Sequence, residues 1–191
     1  HIAGAVIVER ENDNYFHYRQ IQADVDGKFV DLGVEYSADG SSRVAPEAMV
    51  LGDWHSGIVD EAVVKVWRDV IRKLKPKRLI LHDLFNGLSI SHHDKDKIIT
   101  RAQRAERGQL SLDAELEMVA RDLDGLTKLA EEVVVVRSNH DDFLNRYLEA
   151  GRYVYDPHNH RTSLNLALTM LDEKNPLEVG VMAHHPQEPD K

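Results

Sequence analysis

Three short apolar runs in this sequence each end in a cluster of metal-competent side chains, and that repetition constrains the fold more than any other feature. Ala48-Met49-Val50-Leu51 leads into Gly52-Asp53-Trp54-His55-Ser56-Gly57, and Leu79-Ile80-Leu81 leads into His82-Asp83-Leu84-Phe85-Asn86-Gly87. Val133-Val134-Val135-Val136 leads into Arg137-Ser138-Asn139-His140-Asp141-Asp142. Short runs of this kind read as strands buried in a parallel sheet. In open α/β sheets, ligands bind beyond the carboxyl ends of the strands. A fourth run, Val179-Gly180-Val181-Met182-Ala183, ends in His184-His185 and reads in the same way. Asp53 and His55 alone have an ordinary alternative, an Asp capping the next helix beside a solvated His. Recurrence at further strand ends favours a shared metal site.

The segments between these runs fit the same scheme. Val59, Ala62, Val63, Val66, Trp67, Val70, Ile71 and Leu74 recur at spacings of three and four, the mark of one apolar helical face. Pro76 ends that helix before the second strand. Strand, helix and strand in this order form a crossover, so an α/β fold with a parallel sheet is expected, with Trp67 in its core. Ser111 is a helix N-cap, and Leu112, Leu116, Val119, Leu123, Leu126 and Leu129 continue an apolar stripe. A short helix is expected over 142–150, ended by Gly151, and another over 164–171. Upstream, residues 3–9, 15–22 and 29–34 read as strands and 38–42 as a loop. This divides the chain into an N-terminal β element, residues 1–42, and a main domain, residues 43–191. His17 reads as an ordinary strand residue, and His158 and His160, which follow Pro157, as surface residues.

With 42% hydrophobic residues in 191, the chain can bury a sizeable core, most simply in one domain. A net charge of −9 argues against a surface that attracts nucleic acid everywhere, although carboxylates gathered at a metal site contribute to that sum. There is no cysteine, so disulfides and thiolate metal sites drop out. No apolar run approaches a membrane span, and a cytoplasmic, membrane-free protein is expected. Residues 84–110 make an unusually long polar connection. Arg101, Arg104 and Arg107 within it are either part of a solvated helix face or a rim that contacts substrate phosphates. His92 and His93 fall close enough to Asp83 in sequence to approach the site, without being assigned as ligands.

The order Asp53-x-His55, then Asp83, then Asn139-His140-Asp141, then His184 resembles the calcineurin-like metallophosphoesterases. Within that superfamily, Asp-Trp-His-Ser-Gly, Asp83-Leu84-Phe85 and Asn139-His140-Asp141-Asp142 look most like the double-strand-break repair nucleases. The resemblance implies a β-sandwich flanked by helices, an αββα architecture with its metal site at the strand carboxyl edge. It implies two divalent metals, with Mn²⁺ suiting the mixed Asp, His and Asn set best, ahead of Mg²⁺, Zn²⁺ or Fe. Asp53 and His55 would bind one metal, Asn139 and His184 the other, and Asp83 both. His140 would act on the leaving oxygen, with Asp141 holding its imidazole. The implied function is hydrolysis of phosphodiester bonds, with DNA as the partner and substrate; a homodimer is left open. A phosphomonoesterase or protein phosphatase of the same fold, or a scaffold that has lost activity, are the alternatives. The chain departs from the pattern in carrying His82 and Ser138 where the family has Gly, and Asn86 where a second Asp is common. It also lacks a final Gly-His-x-His and begins at His1, so it is expected to be part of a longer protein.

Overall fold

The computed structural model describes residues 3–94 and 96–185. It shows a mixed α/β chain with three small sheets and six α-helices among the described residues. Among the described residues ahead of the metal-competent motifs, all strand pairs are antiparallel. β1 (Gly4–Arg10) pairs with β2 (Phe16–Gln22), and β3 (Phe29–Asp31), β4 (Val34–Ser37) and β5 (Gly40–Arg43) form a second sheet. The strand expected over 29–34 is therefore broken, and the loop expected over 38–42 holds the start of β5. The break is a two-residue turn in which Leu32 and Gly33 adopt φ of 49° and 77°, which no continuous strand can contain. Arg19 of β2 ties the two sheets, donating to Asp31 of β3 and to Glu9 of β1.

The third sheet positions the motifs. β6 (Ala48–Asp53), β7 (Arg78–His82) and β8 (Glu132–Val135) lie side by side and parallel, in the order β6-β7-β8. α1 (Glu61–Leu74) joins β6 to β7. It starts at Asp60, whose side chain accepts the N–H groups of Ala62 and Val63, and stops at Lys75 in the left-handed conformation just before Pro76. The connection from β7 to β8 carries a short 3-10 turn (His92–Asp94), α2 (Ile98–Glu106) and α3 (Leu112–Thr127), the last capped by the Ser111 hydroxyl. α4 (Asp142–Glu149), α5 (His160–Leu171) and α6 (Pro176–His184) follow β8.

The core is built on one face of this sheet. Leu51, Leu79 and Leu81 meet Ile71 of α1, Leu112, Leu116, Val119 and Leu126 of α3, and Leu144 of α4, all essentially fully buried. Each such side chain contributes roughly 1.5–3 kcal/mol of hydrophobic stabilisation. Trp67 packs against the rim of this cluster, whereas Val63 and Val66 of the same helix remain 47% and 61% exposed.

One expectation is met in part and another fails. Val50, Ile80 and Val134 are register partners and so share the other face of the sheet, yet Val50 is 63% exposed. The described residues thus form helices on one side of a parallel sheet, and the second sheet of a sandwich is not among them. The fourth apolar run is not a strand either. Asn175 caps α6 by accepting from Leu177 and Glu178, Pro176 occupies its first turn, and Val179–Ala183 continue the helix. A five-residue apolar run has too little period to separate strand from helix, and the Asn-Pro start decides it.

Candidate metal centre

The motifs converge because the parallel ladder continues past its strands. Val50 pairs with Ile80, the register slips, and Asp53 then pairs with His82. Beyond that point Trp54, His55 and Ser56 donate their N–H groups in turn to the carbonyls of His82, Asp83 and Leu84, at 3.3, 2.8 and 3.0 Å. The two loops therefore run side by side, and Asp53, His82 and Asp83 bring one ligand atom each to within 4.8 Å of one another. His82 Nδ1 lies 3.1 Å from Asp53 Oδ1 and 3.4 Å from Asp83 Oδ2. His55 and Asp83 both hold positive φ, 47° and 49°. Such backbone is costly for residues other than glycine and collects at functional sites.

Burial of Asp83 works to raise its pKa, but hydrogen bonding from the Ser138 hydroxyl, which it shares with Asp141, from His82 and from the His140 N–H outweighs it, so its carboxyl is held below the usual carboxylate range. Asp83 is accordingly a buried anion at neutral pH. The His55 ring stands edge-on to the His140 ring, 4.5 Å between centroids at 76°. Its Nδ1 is buried and has no hydrogen-bond partner. A polar atom in that position is destabilising unless something else fills its lone pair. Two carboxylates and the imidazole of His82 are a donor set that a divalent cation satisfies, while His55 stands outside this cluster of ligand atoms.

His140 is fixed from two sides. Its backbone N–H points to Asp83 Oδ1 at 3.4 Å, and its Nδ1 lies 3.1 Å from the Asn86 carbonyl. A carbonyl oxygen only accepts, so Nδ1 carries the proton and Nε2 remains for chemistry. The ring also rests on Phe143, 4.6 Å away, against which His92 packs in turn at 5.6 Å.

Asp141 does not hold this imidazole. One of its oxygens accepts the Phe85 N–H at 3.1 Å and the other the Ser138 hydroxyl at 2.8 Å. The expected orienting role thus falls to Asn86, through its backbone. Asn139 is exposed, and its carbonyl accepts from Arg146 at 2.6 Å. His184, at the end of α6 and not of a strand, lies 3.3 Å from Asp113 and is outside the cluster of ligand atoms. Arg104 is spent within the protein: it pairs with the buried carboxylate of Asp94 at 2.7 Å and donates to the Leu88 carbonyl at 3.1 Å. Arg101 is half-buried and Arg107 exposed. His158 is exposed, while His160 packs edge-on to Tyr153 at 6.1 Å.

His82 is the functional candidate that pattern reading sets aside, as a residue standing where a glycine is expected. Its position at the end of β7, directly opposite Asp53, is the available signal.

No protein-family model and no solved structure matches this chain. Protein A1 of Escherichia phage T5 is similar to it, 28% identical over 158 residues covering 78% of this chain. The chain spans only 28% of the length of that relative.

Proposed function

We infer that this chain carries the centre of a metal-dependent phosphodiesterase whose substrate is DNA. The observation that carries the reading is the convergence of Asp53, His82 and Asp83, with the buried Nδ1 of His55 left unpartnered on the loop that runs alongside. Asp53, His82 and Asp83 would hold one divalent cation, with Mn²⁺ preferred for this carboxylate and imidazole set. His55 and Asn139 would complete a second position that shares Asp83. Bound there, such cations polarise a phosphoryl oxygen and lower the pKa of a water.

The chain's own residues do the rest. Asp83 keeps its negative charge through its hydrogen bonds and so is ready to bind cations without first losing a proton. His140, tied through Nδ1 to the Asn86 carbonyl, would in its imidazolium form give the Nε2 proton to the leaving oxygen and be left as the neutral Nδ1–H ring. Asp141 holds the Asp83 loop to the Asn139-His140 loop, which keeps these groups in register. The choice of DNA rests on the likeness of Asp53-Trp54-His55-Ser56-Gly57 and Asn139-His140-Asp141-Asp142 to the repair nucleases. The exposed apolar sheet face at Val50 is where the second layer of that fold would pack.

Hydrolysis of linear DNA, a nitrophenyl phosphodiester and a nitrophenyl phosphomonoester, each with and without Mn²⁺, tests the reading. Mn²⁺-dependent cleavage of DNA and the diester is expected. Preference for the monoester would make the protein a phosphomonoesterase, and no turnover of any of the three would make it a scaffold.

A further inference from the structure

A continuous series of aromatic rings runs outward from the metal centre. It starts at His140, whose ring meets Phe143 at 4.6 Å between centroids; Phe143 meets His92 at 5.6 Å, and His92 meets His93 at 3.8 Å. The inner end of the series belongs to the site already described, since the His140 backbone N–H points to Asp83 and its ring is tied to the Asn86 carbonyl. The outer end does not. His92 and His93 are not among the clustered ligand atoms, and both imidazoles are exposed.

These exposed rings are held in place. Phe143 is fixed from several sides: the Arg146 guanidinium lies over its ring at 4.8 Å, and a Cβ on Gly87 would meet its Cδ2 at 2.9 Å, so the ring rests directly on the backbone of the Asp83 loop. His92 and His93 open the 3-10 turn that closes with buried Asp94. That carboxylate accepts from the Ser91 hydroxyl and from Lys97, each at 3.1 Å, and pairs with Arg104 at 2.7 Å. The turn is thus anchored from below while its imidazoles stack in solvent. The charge around it suits an anionic strand, because Asp94 is paired with cations and Arg146 is exposed. Unpaired bases stack on aromatic side chains, histidine among them, and a cationic surface carrying such rings is the usual build of a single-strand site.

We propose that the His92–His93 pair is a stacking platform for an unpaired nucleobase, carried by a nucleotide that flanks the phosphate at the metal centre, with Arg146 supplying positive charge alongside the strand. This rests on the phosphodiesterase reading for its substrate class. It adds that a single-stranded end or loop is engaged, since a base inside a duplex is covered on both faces by its neighbours and cannot reach a protein ring.

The test is fluorescence anisotropy of a labelled single-stranded oligothymidylate, and of an abasic strand of the same length, with the protein in EDTA at low ionic strength. The oligothymidylate is expected to bind more tightly than the abasic strand. His92→Ala and His93→Ala should each weaken the oligothymidylate roughly five- to thirtyfold, as the loss of one base stack does, and leave the abasic strand unchanged. His93→Phe keeps a ring and should bind like the unaltered protein, whereas His93→Gln keeps a polar group without the ring and should behave like His93→Ala. His93 is the outermost ring, so its variants keep the test decisive should His92→Ala disturb the turn. No binding of the oligothymidylate, or equal affinity for the two strands, overturns the platform. So does binding that ignores both histidines, or an equal loss of both strands in His93→Phe, which would make His93 a phosphate contact. Such results leave the phosphodiesterase reading intact where the unaltered protein still cleaves the nitrophenyl diester with Mn²⁺. Base-dependent binding that follows His93 in a protein that cleaves no phosphodiester would support the platform and remove that reading instead.

Discussion

Asp141 Oδ1 accepts the backbone N–H of Phe85 at 3.1 Å, although the two residues are 56 positions apart in the chain. This one bond joins the loop after β7, which carries Asp83, to the loop after β8, which carries Asn139 and His140. Both partners are buried, Phe85 completely. Asp141→Ala should therefore lower stability by about 1–3 kcal/mol, the cost of a buried donor left unsatisfied. Asp141→Asn, which still offers an oxygen, should recover most of that loss; urea unfolding midpoints check both.

His140 and Asp141 are neighbours with different work, and their variants should fail differently. His140→Asn should leave metal binding unchanged but lower turnover by roughly 10²–10⁴, the usual range for a lost proton donor. The deficit should shrink on a nitrophenolate leaving group, which needs little protonation. An equal deficit on good and poor leaving groups would remove His140 from proton transfer.

The arginines of the 84–110 connection should also separate. Arg104 is locked to Asp94 and Leu88, so Arg104→Ala should destabilise the fold. Arg101→Ala and Arg107→Ala should instead weaken DNA binding and reduce its salt dependence by about one unit of slope for each phosphate no longer neutralised. Fluorescence anisotropy at several salt concentrations, alongside thermal unfolding, tells the two effects apart. A loss of stability in Arg107→Ala equal to that in Arg104→Ala would contradict the assignment.

Asp94 gives the acid response of this connection its sign. A hydrogen bond from Lys97, set against the opposing effect of burial and joined by Ser91 and Arg104, lowers its pKa. A carboxyl with a lower pKa in the folded state stabilises the protein above its unfolded pKa, and that stabilisation is lost as pH falls through the folded value. Asp94→Asn should therefore flatten the acid limb of a stability–pH curve below about pH 4 and leave it unaltered in shape above.

How far the sequence reveals this arrangement depends on the range of the interactions involved. The crossover from β6 through α1 to β7 is legible because apolar spacing of three and four, an Asp cap and a Pro stop are all local. Asp53 and Asp83, two of the three clustered residues, are legible because they lie just past apolar runs. The engagement of Asp141 with Phe85 has no local signal, since its partner arrives from another crossover. His82 is hidden by its departure from an expected glycine, and only the β6–β7 register shows it facing Asp53. α6 is mistaken for a strand because five apolar residues fit a buried strand as well as a helix, and the Asn175-Pro176 start is the deciding detail.

The central claim is that Asp53, His82 and Asp83 hold a divalent cation. Titration of the protein with Mn²⁺, with free Mn²⁺ followed by electron paramagnetic resonance, tests it most directly. The account predicts saturable binding, lost in Asp83→Ala, weakened roughly 10- to 100-fold in His82→Ala, and unaffected by His184→Ala. Mn²⁺ binding that survives Asp83→Ala and His82→Ala unchanged would contradict it.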